Sequence, residues 1–205
     1  MEKWAEGFYP ARVLTNYQIL LAHADEKTDL QPEPLEVQVL NSSFLNPVKK
    51  KIKTLAKQGF RLSVMGQECA VMYRRPNEQN PVSYVWLNVK NKKLEKELAK
   101  LQESGAVYRM LYRYLSYSNE LVFERPTNGS TRTSEYRVLQ LSFQLLDPPI
   151  RKGVNVPNAR VDLTPEGKET VKLINDLAKQ GFVVRDLFIS DFISKSVGVL
   201  LERSR

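Results

Sequence analysis

Apolar residues recur three apart ahead of three glycines. Seven and four residues before Gly59, Gly105 and Gly181 stand Ile52 and Leu55, Leu98 and Leu101, and Ile174 and Leu177. That spacing puts each pair on one face of a helix. The phrase Leu-Ala-Lys-Gln-Gly-Phe occurs twice, letter for letter, at residues 55–60 and 177–182, and a looser copy, Leu-Gln-Glu-Ser-Gly-Ala, fills 101–106. Each glycine is expected to end its helix in the left-handed conformation that closes the last turn. Phe60, Ala106 or Phe182 then returns the chain to the core. Asn46-Pro47 and Thr164-Pro165 read as a capping side chain followed by proline at the first helical position. Asn91 is the expected cap of the middle helix.

Strand patterns flank these helices. "NYQILLA", "SYVWLNV" and "EYRVLQL" set Tyr17, Tyr84 and Tyr136 at the head of short apolar runs, which predict strands. After each glycine come two further runs, turning at Gly66-Gln67, at Ser116 to Asn119, and between Ser190 and Lys195. The units close on Arg75, Arg125 and Arg203, and the proline-containing stretches "PNEQNP" and "PTNGSTRTS" read as linkers. The predicted fold class is α+β: three tandem βαββ repeats over residues 13–76, 81–126 and 133–204. A unit of this size buries little surface alone, so the three are expected to share a core. A pseudo-threefold arrangement and an end-to-end sheet both satisfy the pattern.

The copies differ in length. Tyr84 and Gly105 are 21 residues apart, against 42 for Tyr17 to Gly59 and 45 for Tyr136 to Gly181. The first and third copies therefore carry insertions, over 23–46 and 142–163. Loops this long are often functional. A covering flap or an added edge strand is the other reading, and "LEVQVL" alternates as such a strand would.

A strand opening on an aromatic residue, a helix ending Leu-x-x-x-Gly-aromatic and a hairpin ending in arginine resemble a small bacterial domain family of unknown function. That family typically has Gly-Trp after its helix. Here the pairs are Gly59-Phe60 and Gly181-Phe182, and Gly105-Ala106 departs further. The resemblance covers most of the chain in three pieces. It implies a fold and no activity, and it carries over no catalytic residue.

Composition narrows the function classes. The chain has 205 residues, 42% of them hydrophobic, with one cysteine and one histidine. No apolar run reaches the roughly 18 residues of a membrane span, and the start lacks the pattern of a signal peptide. The expectation is a soluble cytoplasmic protein. The formal charge of +8 makes a polyanion partner conceivable without requiring one. Cys69 lies in a strand pattern, as a buried inert thiol would. His23, beside Asp25 and Glu26, is the sole imidazole, and without a second histidine or a cysteine cluster no metal site is expected. Asp186 and Asp191 are candidates for paired carboxylates, with Asp191 read as a turn residue. No enzyme activity and no cofactor are expected.

One stretch has the composition of a binding surface. In "VYRMLYRYLSY", strand alternation puts Tyr108, Met110, Tyr112 and Tyr114 on one side and Arg109 and Arg113 on the other. Tyrosines can stack bases and arginines can meet phosphates, but tyrosine ladders also simply stabilise sheets. Lys49, Lys50 and Lys51, with Lys92 and Lys93 on the next helix, add a basic surface that is either solvated or used. The expected function is a binding or assembly module acting through a sheet face or edge and the two insertions. A protein partner or self-association comes first, because exposed strand edges recruit other chains. Nucleic acid is the alternative, and a ligand pocket or enzyme between repeats is the third.

Overall fold

The computed structural model describes residues 8–13, 19–23, 36–41, 45–66, 69–75, 80–114, 118–127, 134–142, 146–147, 162–191 and 196–204. They form three helices and three antiparallel three-stranded sheets, with two smaller strand pairs. The fold is α+β. The chain divides into two compact units, Met1–Thr133 and Ser134–Arg205.

The first unit begins with a hairpin of β1 (Phe8–Val13) and β2 (Ile19–His23). Its first three-stranded sheet comes next: β3 (Glu36–Asn41), α1 (Leu45–Ala56), β4 (Arg61–Met65) and β5 (Cys69–Arg74), in the order β3-β5-β4. The second sheet has the same plan: β6 (Val82–Asn88), α2 (Leu94–Glu103), β7 (Val107–Tyr114) and β8 (Ser118–Pro126), in the order β6-β8-β7. The second unit holds the third sheet: β9 (Ser134–Ser142), α3 (Pro165–Lys179), β12 (Val183–Asp191) and β13 (Ser196–Ser204), in the order β12-β13-β9. Between β9 and α3, the two-residue strands β10 (Leu146–Asp147) and β11 (Asp162–Leu163) pair antiparallel. In each sheet the last strand lies in the middle, between the strand before the helix and the strand after it.

One expectation about strands is corrected. The run after Tyr17 does not open the first sheet. It forms β2, which pairs with β1 in a separate ribbon, and Tyr17 itself lies outside the described residues. The opening strand is β3, the "EVQVLN" of the expected insertion. Its six residues pair in unbroken register with β5, from Glu36 opposite Arg74 to Asn41 opposite Cys69. Apolar alternation marks both runs as strands, and only pairing tells which one joins the sheet. The linkers at 76–79 and 128–133 and most of the insertion over 142–163 lie outside the described residues.

The helix ends match the sequence closely. Gly59, Gly105 and Gly181 have φ of 87°, 67° and 86°. The N–H of the next residue returns to the carbonyl five positions back: Phe60 to Leu55 at 3.1 Å, Ala106 to Leu101 at 3.0 Å and Phe182 to Leu177 at 3.0 Å. This Schellman closure satisfies carbonyls that a helix end otherwise leaves unpaired. The repeated phrase is thus one helix terminus written twice. At the helix starts, Thr164 caps α3, its hydroxyl accepting from the Gly167 N–H at 3.0 Å. Asn91 acts two residues ahead of α2's own cap position, accepting from the Lys93 N–H at 2.9 Å. Asn46 lies inside the first turn of α1, which begins at Leu45.

Within the first unit, the two sheets share a core. Val48, Ile52 and Ala56 of α1 pack with Phe60 just before β4, with Leu62, Ala70 and Met72 of the first sheet and with Val82, Tyr112 and Val122 of the second. The second unit has a cluster of its own, in which Leu177 and Phe182 pack with Val199, Leu201, Leu139 and Leu141.

Candidate functional site

All three strands that come after a helix contain a bulge at the same place. The register slips at Ser63, Arg109 and Arg185, each four residues after its glycine. A bulge inserts one unpaired residue and swaps the faces of the residues beyond it. It therefore breaks the expected row of tyrosines. Tyr108 stands opposite Phe123, their ring centroids 5.5 Å apart at 65°. Met110 stands opposite Val122 and packs on the shared core. Tyr112 is fully buried there, edge-on to Trp86 at 6.4 Å. Phe123 and Val122 are neighbours on β8 and point to opposite faces. Tyr108 and Tyr112 hence lie on opposite faces of one sheet, and they offer no common platform to a base. Tyr114 closes β7.

The arginines of the region are engaged in a polar centre built on Glu124, which is 4% exposed. Arg109 donates to it twice, from Nε at 3.0 Å and Nη2 at 2.8 Å. The Tyr84 hydroxyl donates to its Oε2 at 2.9 Å, and Arg61 of the first sheet donates to its Oε1. The Tyr84 hydroxyl also accepts the backbone N–H of Leu62 from β4, at 2.6 Å. A tyrosine and a glutamate of the second sheet thus hold the edge strand of the first. Burial, reinforced by the Glu124 charge, pushes the Tyr84 phenol far above its ordinary range. Burial works against the Arg109 charge, but the hydrogen bond and charge of Glu124 outweigh it and raise its pKa. The phenol held neutral beside an ion pair ties β4 of the first sheet to the second.

The third sheet carries a related trio. Glu202 accepts from Arg185 Nε at 2.5 Å and from the Tyr136 hydroxyl at 3.5 Å. Glu124 and Glu202 escaped the sequence reading, although "ER" precedes the end of both hairpins and a tyrosine heads both partner strands. The first sheet departs from this pattern, with Val37 opposite Tyr73 at the same place.

The closing arginines act at the helix ends. Arg203 donates to the Gln180 carbonyl at 3.2 Å and to Glu135, and lies 4.7 Å over the Phe182 ring. In the first sheet Arg74, not Arg75, does this work. It donates to the Gln58 carbonyl at 3.1 Å and to Glu36, and lies 4.7 Å over Phe60. Arg125 has no such ring to cover, because Ala106 replaces the phenylalanine. Its Nε meets the Ser83 hydroxyl at 3.3 Å.

The basic candidates divide. Lys49 is taken up by Glu120 at 2.5 Å and stands 4.8 Å over Trp86. Lys50 and Lys51 are exposed on α1, Lys92 and Lys93 are exposed in the turn before α2, and Arg113 is exposed on β7. Cys69 is buried in β5. His23 closes β2. Asp191 ends β12, while Asp186 lies inside it and accepts the Leu187 N–H at 3.0 Å. Among the described residues no cluster of metal-ligating side chains occurs, and no helix is long and apolar enough to cross a membrane.

An apolar edge is left on the second unit. β12 is an outer strand of its sheet. Val183, Val184 and Leu187 are each about half exposed, at 49%, 49% and 53%, and Leu173 of α3 is 46% exposed. Val184 stands opposite Leu201 and Leu187 opposite Val199. Both partners belong to the cluster under α3, and cross-strand partners point to one face. Val184 and Leu187 therefore lie on the helix-bearing face, at its rim. The corresponding residues of the first sheet, Leu62 and Met65, pack into the core.

No protein-family model matches this chain, and neither does any curated protein or solved structure.

Proposed function

We propose that the chain is a non-enzymatic binding and assembly module, made of three tandem βαββ repeats, that takes a protein partner at the β12 edge. The repeat reading draws support from the shared strand order, the left-handed glycine and the bulge four residues beyond it. It also keeps the resemblance to the small bacterial βαββ domain family as a reading of the fold. The observation that carries the function is the exposure of Val183, Val184 and Leu187 on one outer strand. Grouped apolar side chains on an outer strand mark a contact surface more often than scattered ones do.

A photo-activated cross-linking residue at position 184 tests this in cells, with position 57 on the loop after α1 as the control. The expected result is a discrete adduct with one protein at 184 and none at 57. Equal labelling at both, or none at 184, would sink the reading. A nucleic-acid reading rests on α1, whose lysines are accompanied by no acidic residue. It predicts oligonucleotide binding that weakens steeply with salt and with Lys50→Glu and Lys51→Glu. An unchanged salt profile in those variants removes it.

A further inference from the structure

We infer that the β12 edge takes a second copy of the same chain, paired about a two-fold axis between Arg185 and Asp186. This rests on the reading of that edge as a contact surface, and it names the occupant.

The edge is self-complementary. Residues 183–188 read Val-Val-Arg-Asp-Leu-Phe. Laid antiparallel against an identical strand about the 185/186 midpoint, Arg185 meets Asp186 of the other copy and Asp186 meets its Arg185. Val184 meets Leu187, twice over, and Val183 comes beside Phe188, whose own ring is buried over Gly198. Each positive charge faces a negative one and each apolar residue an apolar one. A two-fold contact requires this property, because one patch must complement itself. An axis normal to the sheet keeps the helix-bearing faces on one side, so the exposed Val184 and Leu187 of both copies form a single apolar strip. Arg185 spends its Nε on Glu202, and a guanidinium has five N–H donors. A carboxylate likewise accepts several bonds, so Asp186 can keep its bonds within the chain, the Leu187 N–H among them, and still meet an arginine.

The contact works through side chains more than through a continued ladder. The bulge at Arg185 and the Asp186–Leu187 N–H bond blunt the strand's outer hydrogen-bonding edge, as outer strands often are blunted. The first unit shows edge docking of a comparable kind. There β4 is held at the second sheet by Arg61 and by the Leu62 N–H, with no ladder between the sheets.

The test is a charge swap read by sedimentation of the full chain. Wild type is expected to dimerise, with a concentration-dependent mass. Asp186→Lys faces lysine with arginine and Arg185→Glu faces glutamate with aspartate, so each alone should dimerise at least about tenfold more weakly. Mixed together they should restore the dimer, because every charge then meets its opposite. Arg185→Glu also strips Glu202 of its partner, so a second arm covers a failure to fold. Val184→Cys mixed with Leu187→Cys should give a disulfide-linked dimer on mild oxidation, and neither chain alone should. A monomer at all concentrations, or a dimer indifferent to both arms, overturns the inference. A monomer whose residue 184 still cross-links to a different protein overturns the second copy as occupant and leaves the binding-module reading standing.

Discussion

Glu124 is where one substitution should do most damage. Its carboxylate accepts from Arg61, twice from Arg109 and once from Tyr84. Glu124→Ala would leave two cations and a phenol without their acceptor. Arg61 is only 17% exposed and Arg109 36%. Stranding a buried charge costs about 3–5 kcal/mol, whereas loss of a solvated pair costs about 0.5. Arg61 belongs near the first figure and Arg109, a third in water, nearer the second. The sum is a loss of about 4–5 kcal/mol, or a fall in midpoint of about 15 °C for a domain of this size. Unfolding tracked by tryptophan fluorescence suits the question, since Trp86 packs against the same core. Glu202→Ala is the internal standard. Its arginine is 45% exposed and its phenol stands at 3.5 Å, so it should lose only about 1 kcal/mol. If Glu124→Ala loses less than Glu202→Ala, burial does not set the strength of these centres and the reasoning fails.

Gly59→Ala and Gly181→Ala should each destabilise by about 1 kcal/mol, because a side chain at positive φ is strained, and unchanged midpoints in urea would contradict the cap assignment. Tyr84→Phe should cost about 1–3 kcal/mol by orphaning the buried Leu62 N–H. It should also change the alkaline limb. The folded phenol keeps its proton above the ordinary value of 10.0, so above that pH the unfolded chain alone ionises and wild-type stability falls as pH rises; the variant should lose that part of the slope, as melting between about pH 9 and 11 would show. Gly198→Ala would place a Cβ 2.1 Å from the Phe188 ring and should cost about 1–3 kcal/mol through overpacking, with Phe188→Leu restoring part of the loss.

Local features were legible in the sequence, and features that depend on pairing were not. The glycines, the leucines before them and the Thr164 cap act within one helical turn, and the structure has them where the spacing put them. The opening strand of the first sheet was misplaced because "ILLAH" and "EVQVLN" are both plausible strands, and only the partner β5 distinguishes them. The tyrosine row dissolved for a similar reason. Alternation assumes an unbroken strand, and a one-residue bulge at Arg109 leaves no mark in composition. Of the candidate residues, Arg109 became part of a buried staple, Lys49 an ion pair and Tyr112 core. The exposed edge at Val184 was invisible for another reason: its residues read as an ordinary buried strand, and exposure depends on what lies alongside.

The pairing of first and last strands in each sheet bears on how such a chain can grow. Glu36 lies opposite Arg74, Val82 opposite Pro126 and Ser134 opposite Ser204. The chain therefore leaves each sheet beside the place where it came in. A module of that kind can be spliced into a polypeptide, or copied in line, while the flanking segments keep their separation. Seven residues, 127–133, are enough to join the second sheet to the third.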